Sequence, residues 1–262
     1  MKEQILAQLS ADYPWKEYLH CFESIDSTND RLREMARKGA PHGTVLIADH
    51  QTGGHGRMGR SFQSPAGLGI YMSILFRPEC PADQLMHLTC AAAVAMCDAV
   101  QTATGFRPGI KWTNDLVSGK SKLGGILSEL GLSSRGNADF AIIGIGINCN
   151  QSVHDFSADI REIAASVSMV TGIPQNRYRL AAAMMEALQQ MDLSRKDEIL
   201  TQYRKDCVTL GREISLLRGD QIRYGWALDI DDEGALVVSF SDGTTEAVSS
   251  GEVSIRGMYG YV

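Results

Sequence analysis

The sequence predicts an α+β fold, a mixed β-sheet with helices, followed by a small all-β module. Three observations predict it. Short apolar runs between glycine and polar residues, Thr44–Ala48, Gly69–Phe76 and Phe140–Ile147, read as buried strands. Longer stretches with apolar residues three and four apart read as helices among them. After Gly211 the composition changes to brief runs, EISLL, QIRYGWALDI, ALVVSF and TTEAV, separated by Arg218-Gly219-Asp220, Asp231-Asp232-Glu233-Gly234 and Ser241-Asp242-Gly243. Strands at that spacing with Gly and Asp turns suggest a small β-barrel. The boundary falls near Leu210, giving domains of 1–210 and 211–262.

Along the chain, a helix starts at Ser27 or Thr28, where either hydroxyl can cap free backbone N–H groups. Leu32, Met35 and Ala36 then share a face, and Gly39 stops it. A glycine-rich stretch separates the strands Thr44–Ala48 and Gly69–Phe76. A long helix is expected from Ala82 to Thr104, after Pro81 and before Gly105, with Leu85, Leu88, Ala92 and Met96 facing the core. Ile110 and Trp112 open a strand that breaks at Asn114 and Asp115, and Lys122–Leu130 forms another. Asp159–Val170, Arg177–Met191 and Arg195–Asp206 read as helices. Antiparallel strands mixed with helices favour α+β over a doubly wound sheet.

Bulk composition narrows the class of function. Of 262 residues, 44% are hydrophobic and 21% charged, as in ordinary globular proteins. The net charge of −6 argues against a nucleic-acid binder, which shows a basic face. No apolar run approaches the ~18 residues of a membrane span. The N-terminus, MKEQILAQLS, lacks a signal-peptide layout, so a cytoplasmic location is expected. Cys21, Cys80, Cys90, Cys97, Cys149 and Cys207 are scattered without metal-site spacing and read as reduced and structural.

Four constellations carry chemistry. Gly53, Gly54, Gly56 and Gly59 alternate with His55, Arg57 and Arg60. Glycines let backbone N–H groups approach an anion, and arginine forks suit phosphate. It is not a Walker A loop, and alone it is equally a surface loop with solvated arginines. Lys111-Trp112-Thr113-Asn114-Asp115 puts a cation, an amide and a carboxylate at a strand end. Asp115 is suited to hold Mg²⁺ directly or through water, and Asn-Asp is also plain turn chemistry. Lys122, Gly124 and Gly125 set a lysine and two glycines at the start of a buried strand. That lysine needs an anion unless it faces solvent, and the glycines mark close approach. Gly144-Ile145-Gly146-Ile147-Asn148 lacks the third glycine and following helix of a dinucleotide site. Read as a strand ending at Asn148, it offers an amide to a base edge.

In order, Ser27-Thr28-Asn29, Gln51 with the Gly53–Arg60 loop, KWTND, KLGGIL and GIGIN resemble the biotin–protein ligases, in the form without an N-terminal DNA-binding domain. The resemblance runs from Ser24 to about Asn150. It continues in GWALDIDDEGALVV and SSGEVSIR, which resemble the family's SH3-like C-terminal domain. It implies a class II synthetase-like biotin/lipoate ligase catalytic domain. The implied reaction has two steps: biotin attacks the α-phosphate of MgATP to give biotinyl-5′-AMP, and a lysine of the biotin carboxyl carrier protein of acetyl-CoA carboxylase or a relative then displaces AMP.

The resemblance also implies residue roles. Ser27, Thr28, Asn29, Gln51, His55, Gly56, Arg57, Lys122, Gly124 and Gly125 would contact biotin. Gly54, Arg57, Arg60, Phe62, Lys111, Asn114, Asp115 and Asn148 would serve ATP, with Asp115 on Mg²⁺. Lys122, Arg57 and Arg60 would be catalytic. Three positions depart from the family pattern: His55 for arginine, Thr113 for proline and Phe62 for tryptophan. The stretch before Ser27 is too short for a winged-helix domain, so no DNA-binding function is expected. Family members often form homodimers through the catalytic sheet, but no residue pattern here compels it. A lipoate–protein ligase and a non-catalytic biotin-binding sensor are the alternatives.

Overall fold

The computed structural model describes residues 1–77, 85–132, 138–249, 251–256 and 258. Its N-terminal part runs α1 (Lys2–Leu6), β1 (Leu19–Ile25), α2 (Thr28–Arg37), β2 (Val45–Gln51), β3 (Gly69–Phe76), α3 (Leu85–Thr104), β4 (Gly109–Lys111), β5 (Asp115–Ser118), β6 (Ser121–Leu132) and β7 (Ala138–Asn148). The strands form one seven-stranded sheet, ordered β1-β2-β3-β7-β6-β5-β4. Only β1 and β2 pair in parallel; the other neighbours are antiparallel. This is the mixed sheet that the sequence predicts. The short helix α4 (Val167–Thr171), α5 (Arg177–Gln189) and α6 (Lys196–Asp206) follow.

Side chains alternate between the two faces of a strand, and here the faces differ in kind. Ile70, Met72 and Ile74 of β3 and Ala141, Ile143, Ile145 and Ile147 of β7 join Leu88, Ala92, Met96, Leu180, Met184 and Tyr203 in the main core, under α3, α5 and α6. On the opposite face α2 lays Leu32 and Ala36 against Leu46, Leu75, Phe140 and Ile142. Fully burying one such leucine contributes about 1.5–3 kcal/mol. Toward the first turn of α2, that face carries Ser73, Gly144 and Gly146, which are too small to fill it.

Within the described residues the long helix ends at Thr104, as expected; its expected start at Ala82 and the side chain of Leu85 lie outside them. The helix expected over Asp159–Val170 is not formed. Residues 158–163 are turns, and helix is confined to Val167–Thr171. The backbone there pairs with the start of β6: Lys122 N–H donates to Ile163 O (2.7 Å) and Ala165 N–H to Lys122 O (2.9 Å). The Ser166 hydroxyl then caps Met169 N–H, so the helix begins at that point. The strand β1 and helix α1 were not anticipated.

The C-terminal strands are β8 (Glu213–Arg218), β9 (Gln221–Ile230), β10 (Leu236–Phe240), β11 (Thr245–Val248) and β12 (Glu252–Ile255). They form an antiparallel sheet ordered β11-β10-β9-β8-β12, consistent with an SH3-like domain. Among the described residues β11 and β12 do not pair, so the expected barrel is not closed. Instead, Gly251 and Glu252 at the start of β12 are engaged by Arg57 and Arg60 of the glycine-rich loop.

Candidate active site

A cavity of about 280 Å³ opens where the sheet face carries small residues. It is closed by the Gly53–Arg60 loop, the β4–β5 hairpin, the turns after Phe156 and the start of β12. A Cβ at Gly144 would lie 2.1 Å from Asn29 Oδ1, and one at Gly146 would lie 2.4 Å from the Phe62 ring. Any side chain at either position would displace a lining residue. The glycines of GIGIN therefore make room for Asn29 and Phe62.

One end of the cavity is neutral and tightly hydrogen-bonded. Ser27 caps α2, its hydroxyl accepting from Asp30 N–H, and so brings Thr28 and Asn29 onto the first turn. All three are buried. Thr28 donates to Gln51 Oε1 from both its N–H (2.8 Å) and its hydroxyl (3.0 Å), and Gln51 Nε2 donates to Ser64 Oγ (3.1 Å). The Ser73 hydroxyl lies 2.7 Å from Thr28 Oγ1 and 2.5 Å from Asn29 Oδ1.

The other end is cationic. Lys111, Lys122, Arg57 and Arg60 all line it, facing the carboxylates of Asp115 and Glu252. Lys122 Nζ is 2.6 Å from Asp115 Oδ1, and Arg60 pairs with Glu252. Arg57 donates to Asn114 Oδ1 (3.0 Å) and to Gly251 O (3.3 Å), and Asn114 donates to Ile126 O (2.5 Å). Lys111 is only 6% exposed. Burial pulls its ammonium below the usual lysine range; Asp115 opposes that shift, and Lys122 and Arg60 add to it. An entering anion would restore the charge balance.

The hairpin that carries Lys111, Asn114 and Asp115 is fixed from behind. Trp112 N–H donates to Thr209 Oγ1 (2.9 Å), and the Trp112 indole N–H donates to Gly234 O in the C-terminal sheet (3.2 Å). The Trp112–Thr113 peptide bond is cis. Tyr203, fully buried on α6, donates its hydroxyl to Thr113 O (2.8 Å). Burial holds that phenol well above its usual range, so it remains a neutral donor. The Thr113 hydroxyl is buried with no hydrogen-bond partner among the described residues.

The expected site residues converge with few exceptions. Ser27, Thr28, Asn29, Gln51, His55, Gly56, Arg57, Arg60, Phe62, Lys111, Asn114, Asp115, Lys122, Gly125 and Asn148 all line the cavity. Gly54 and Gly124 lie behind it: Gly54 packs against Gln51 and Ser64, and Gly124 against the Gly146 carbonyl. Asn148 donates to Ala165 O (3.1 Å) and accepts from Gln151 (3.3 Å), so its amide is held in place. His55 Nδ1 lies 3.3 Å from Gly53 O and 3.8 Å from Asp30 Oδ2.

Sequence reasoning missed the wall formed by Phe156, Ile160 and Ile163 and the contribution of Gly251, Glu252 and Val253. Trp112, within KWTND, has no role in the sequence pattern, and the structure makes it the anchor of the hairpin. The tail residues reach the cavity only through contacts distant in sequence, Arg57 with Gly251 and Arg60 with Glu252.

Among the described residues no cluster of three or more His, Cys, Asp or Glu could hold a metal. Cys21, Cys90, Cys97, Cys149 and Cys207 are free thiols, and Cys80 lies outside the described residues. Burial pushes the Cys90 and Cys149 thiols up to about 12, which leaves them inert. No helix among the described residues is long and apolar enough to cross a membrane.

The chain is similar to known proteins over most of its length. Residues 21–148 match the biotin/lipoate A/B protein ligase family, and residues 209–256 match the biotin protein ligase C terminal domain. The chain is 35% identical over 234 residues to the bifunctional ligase/repressor BirA of Bacillus spizizenii, covering 86% of this chain and 70% of that protein. It is 31% identical over 254 residues to the biotin–[acetyl-CoA-carboxylase] ligase of Mycobacterium tuberculosis, covering 94% and 91%. The biotin protein ligase from Aquifex aeolicus, solved in complex with biotin and ATP, superposes with a TM-score of 0.76 at 28% identity, covering 91% of this chain and 98% of that one. The chain belongs to the biotin/lipoate A/B protein ligase family and carries the biotin protein ligase C-terminal domain.

Proposed function

We propose that this enzyme is an ATP-dependent biotin–protein ligase, which activates biotin as biotinyl-5′-AMP and transfers it to a lysine of a biotin carboxyl carrier protein. The carrying observation is that one cavity is neutral at one end and cationic at the other. A carboxylate and a polyphosphate, both anionic, must meet at the cationic end. Biotin's uncharged ring then falls to Ser27, Thr28, Asn29 and Gln51, which offer neutral donors and acceptors.

In the first step the biotin carboxylate attacks the α-phosphorus and pyrophosphate leaves. Arg57, Arg60 and Lys122 offset the repulsion of the two anions, and Lys111 gains a counter-charge for its buried ammonium. Mg²⁺ favours one or two carboxylates together with phosphate oxygens. Asp115 and Glu252, the lining carboxylates, fit that need, and Asp115 would hold the ion directly or through water. The ion would neutralise phosphate charge. Asn148 and Phe62 sit where the nucleotide base would rest.

In the second step the deprotonated amine of the acceptor lysine attacks the anhydride carbonyl, and AMP leaves. The Gly53–Arg60 loop, pinned through Arg57 and Arg60 to the C-terminal sheet, keeps water from the anhydride meanwhile. We take residues 1–210 as the catalytic domain and 211–262 as the module that braces this lid.

Mixing the protein with MgATP and biotin should release pyrophosphate. Lipoate in place of biotin should release little. Release with lipoate and not with biotin would select the lipoate branch, and no release with either would leave a biotin-binding sensor.

A further inference from the structure

We infer that Glu129, which does not line the cavity, is a positioning residue that sets which face of the Asn29 amide biotin meets. The inference rests on the ligase reading for the identity of the ligand. Gly125, Leu127 and Glu129 alternate along the site face of β6, and Glu129 reaches the base of the neutral end. Asn29 Nδ2 donates to Glu129 Oε2 (2.8 Å). The other carboxylate oxygen, Oε1, accepts from Arg33 (2.6 Å), and Arg33 in turn pairs with Asp30 (2.5 Å). From the opposite side the Ser73 hydroxyl lies 2.5 Å from Asn29 Oδ1. Gly144 allows the amide to lie flat on the sheet, because a Cβ there would sit 2.1 Å from that same oxygen.

An asparagine amide has nearly the same shape after a half-turn about its last bond, so only its neighbours decide which end is the donor. An ionised carboxylate only accepts. Glu129 therefore fixes the nitrogen toward itself, and the Ser73 hydroxyl, whose one hydrogen is shared between Asn29 Oδ1 and Thr28 Oγ1, faces the oxygen. The Asn29 nitrogen carries two hydrogens, and one is taken by Glu129. The second remains for a ligand acceptor in the neutral end, and biotin's ureido oxygen is such an acceptor. Arg33 pairs with the other oxygen of Glu129 and does not touch Asn29 itself.

The test is equilibrium titration of biotin and of 2-iminobiotin, which carries N–H in place of the ureido oxygen. Kinetic constants for biotin and ATP are measured beside it. Glu129→Gln keeps the size of the side chain but can both donate and accept, so Asn29 is free to turn. Loss of a hydrogen bond to a charged group predicts roughly tenfold weaker biotin binding, with KM for ATP within about twofold. The preference for biotin over 2-iminobiotin should shrink by a similar factor. Ser73→Ala should move that preference in the same direction by less. Arg33→Met should leave the preference intact, since the Asn29–Glu129 bond survives.

An unchanged preference in Glu129→Gln overturns the inference. So does a parallel rise in both KM values with an unaltered preference, because that is what general structural damage produces. A preference lost equally in Arg33→Met also overturns it. Wild-type protein that binds biotin but releases no pyrophosphate would count against the ligase reading alone.

Discussion

The two ends of the cavity are built on opposite principles. At the neutral end the polar side chains are held in place by partners within the protein: Thr28 by Gln51, Gln51 by Ser64, Asn29 by Glu129 and Ser73. At the cationic end the partners are ion pairs, Lys122 with Asp115 and Arg60 with Glu252, around a buried Lys111 whose pKa burial lowers. The first arrangement is rigid and suits recognition of a fixed neutral ring. The second holds charge in reserve for anions that come and go, and it draws on the C-terminal sheet to do so.

The largest effect expected from breaking this contrast is at Lys122. Lys122→Ala removes a cation from the reacting end and leaves Asp115 without its 2.6 Å partner. Loss of one preorganised charge-stabilising group lowers catalysis by about 10²–10³-fold. Biotin-dependent pyrophosphate release should fall by that order, while biotin binding measured without ATP weakens far less.

The mirror-image change is Gly144→Ala at the neutral end. Its new methyl would meet Asn29 Oδ1, and overpacking of this kind costs about 1–3 kcal/mol. KM for biotin should rise about tenfold with KM for ATP nearly unchanged. Equal rises in both would show that the two ends do not act separately.

A smaller effect concerns stability. Lys111→Met replaces a buried ammonium, whose charged form burial disfavours, with an apolar chain of similar length. The sign with pH follows from the lowered pKa of Lys111. Below its folded pKa the lysine is charged in both the folded and the unfolded chain, and the full burial penalty is present. Between the folded and the ordinary lysine value the unfolded chain binds more protons, so wild-type stability rises relative to the variant. The Tm of Lys111→Met relative to wild type should therefore be constant below the folded pKa and fall as pH rises from there toward the ordinary lysine value.

Smallest is Glu252→Gln. The Arg60 side chain is 65% exposed, and pairs of that kind contribute about 0–1 kcal/mol. KM for ATP should shift by less than about threefold, and the shift should fade in high salt.

The same contrast explains what was legible in the sequence. Residues of the cationic end lie in short runs with glycine and charge together, such as KWTND and the Gly53–Arg60 loop, and such runs declare close approach and anion contact. Helix α2 was legible because Ser27 is a cap and Leu32 and Ala36 recur at helical spacing. The side chains that hold Asn29 in place were not legible. Ser73 and Glu129 sit in ordinary strand positions, 44 and 100 residues from Asn29, and only sheet register brings them together. The segment after Asp159 misled because its apolar spacing suits a helix, while its backbone hydrogen bonds go to Lys122 instead. The C-terminal wall was hidden for a similar reason: nothing local in SSGEVSIR says that Gly251 and Glu252 reach the loop.

The most direct measurement is transfer of labelled biotin to a biotin carboxyl carrier domain in the presence of MgATP. Labelling of one lysine, dependent on ATP and abolished by Lys122→Ala, is the predicted result. An unlabelled carrier, or labelling by lipoate in preference to biotin, would contradict it.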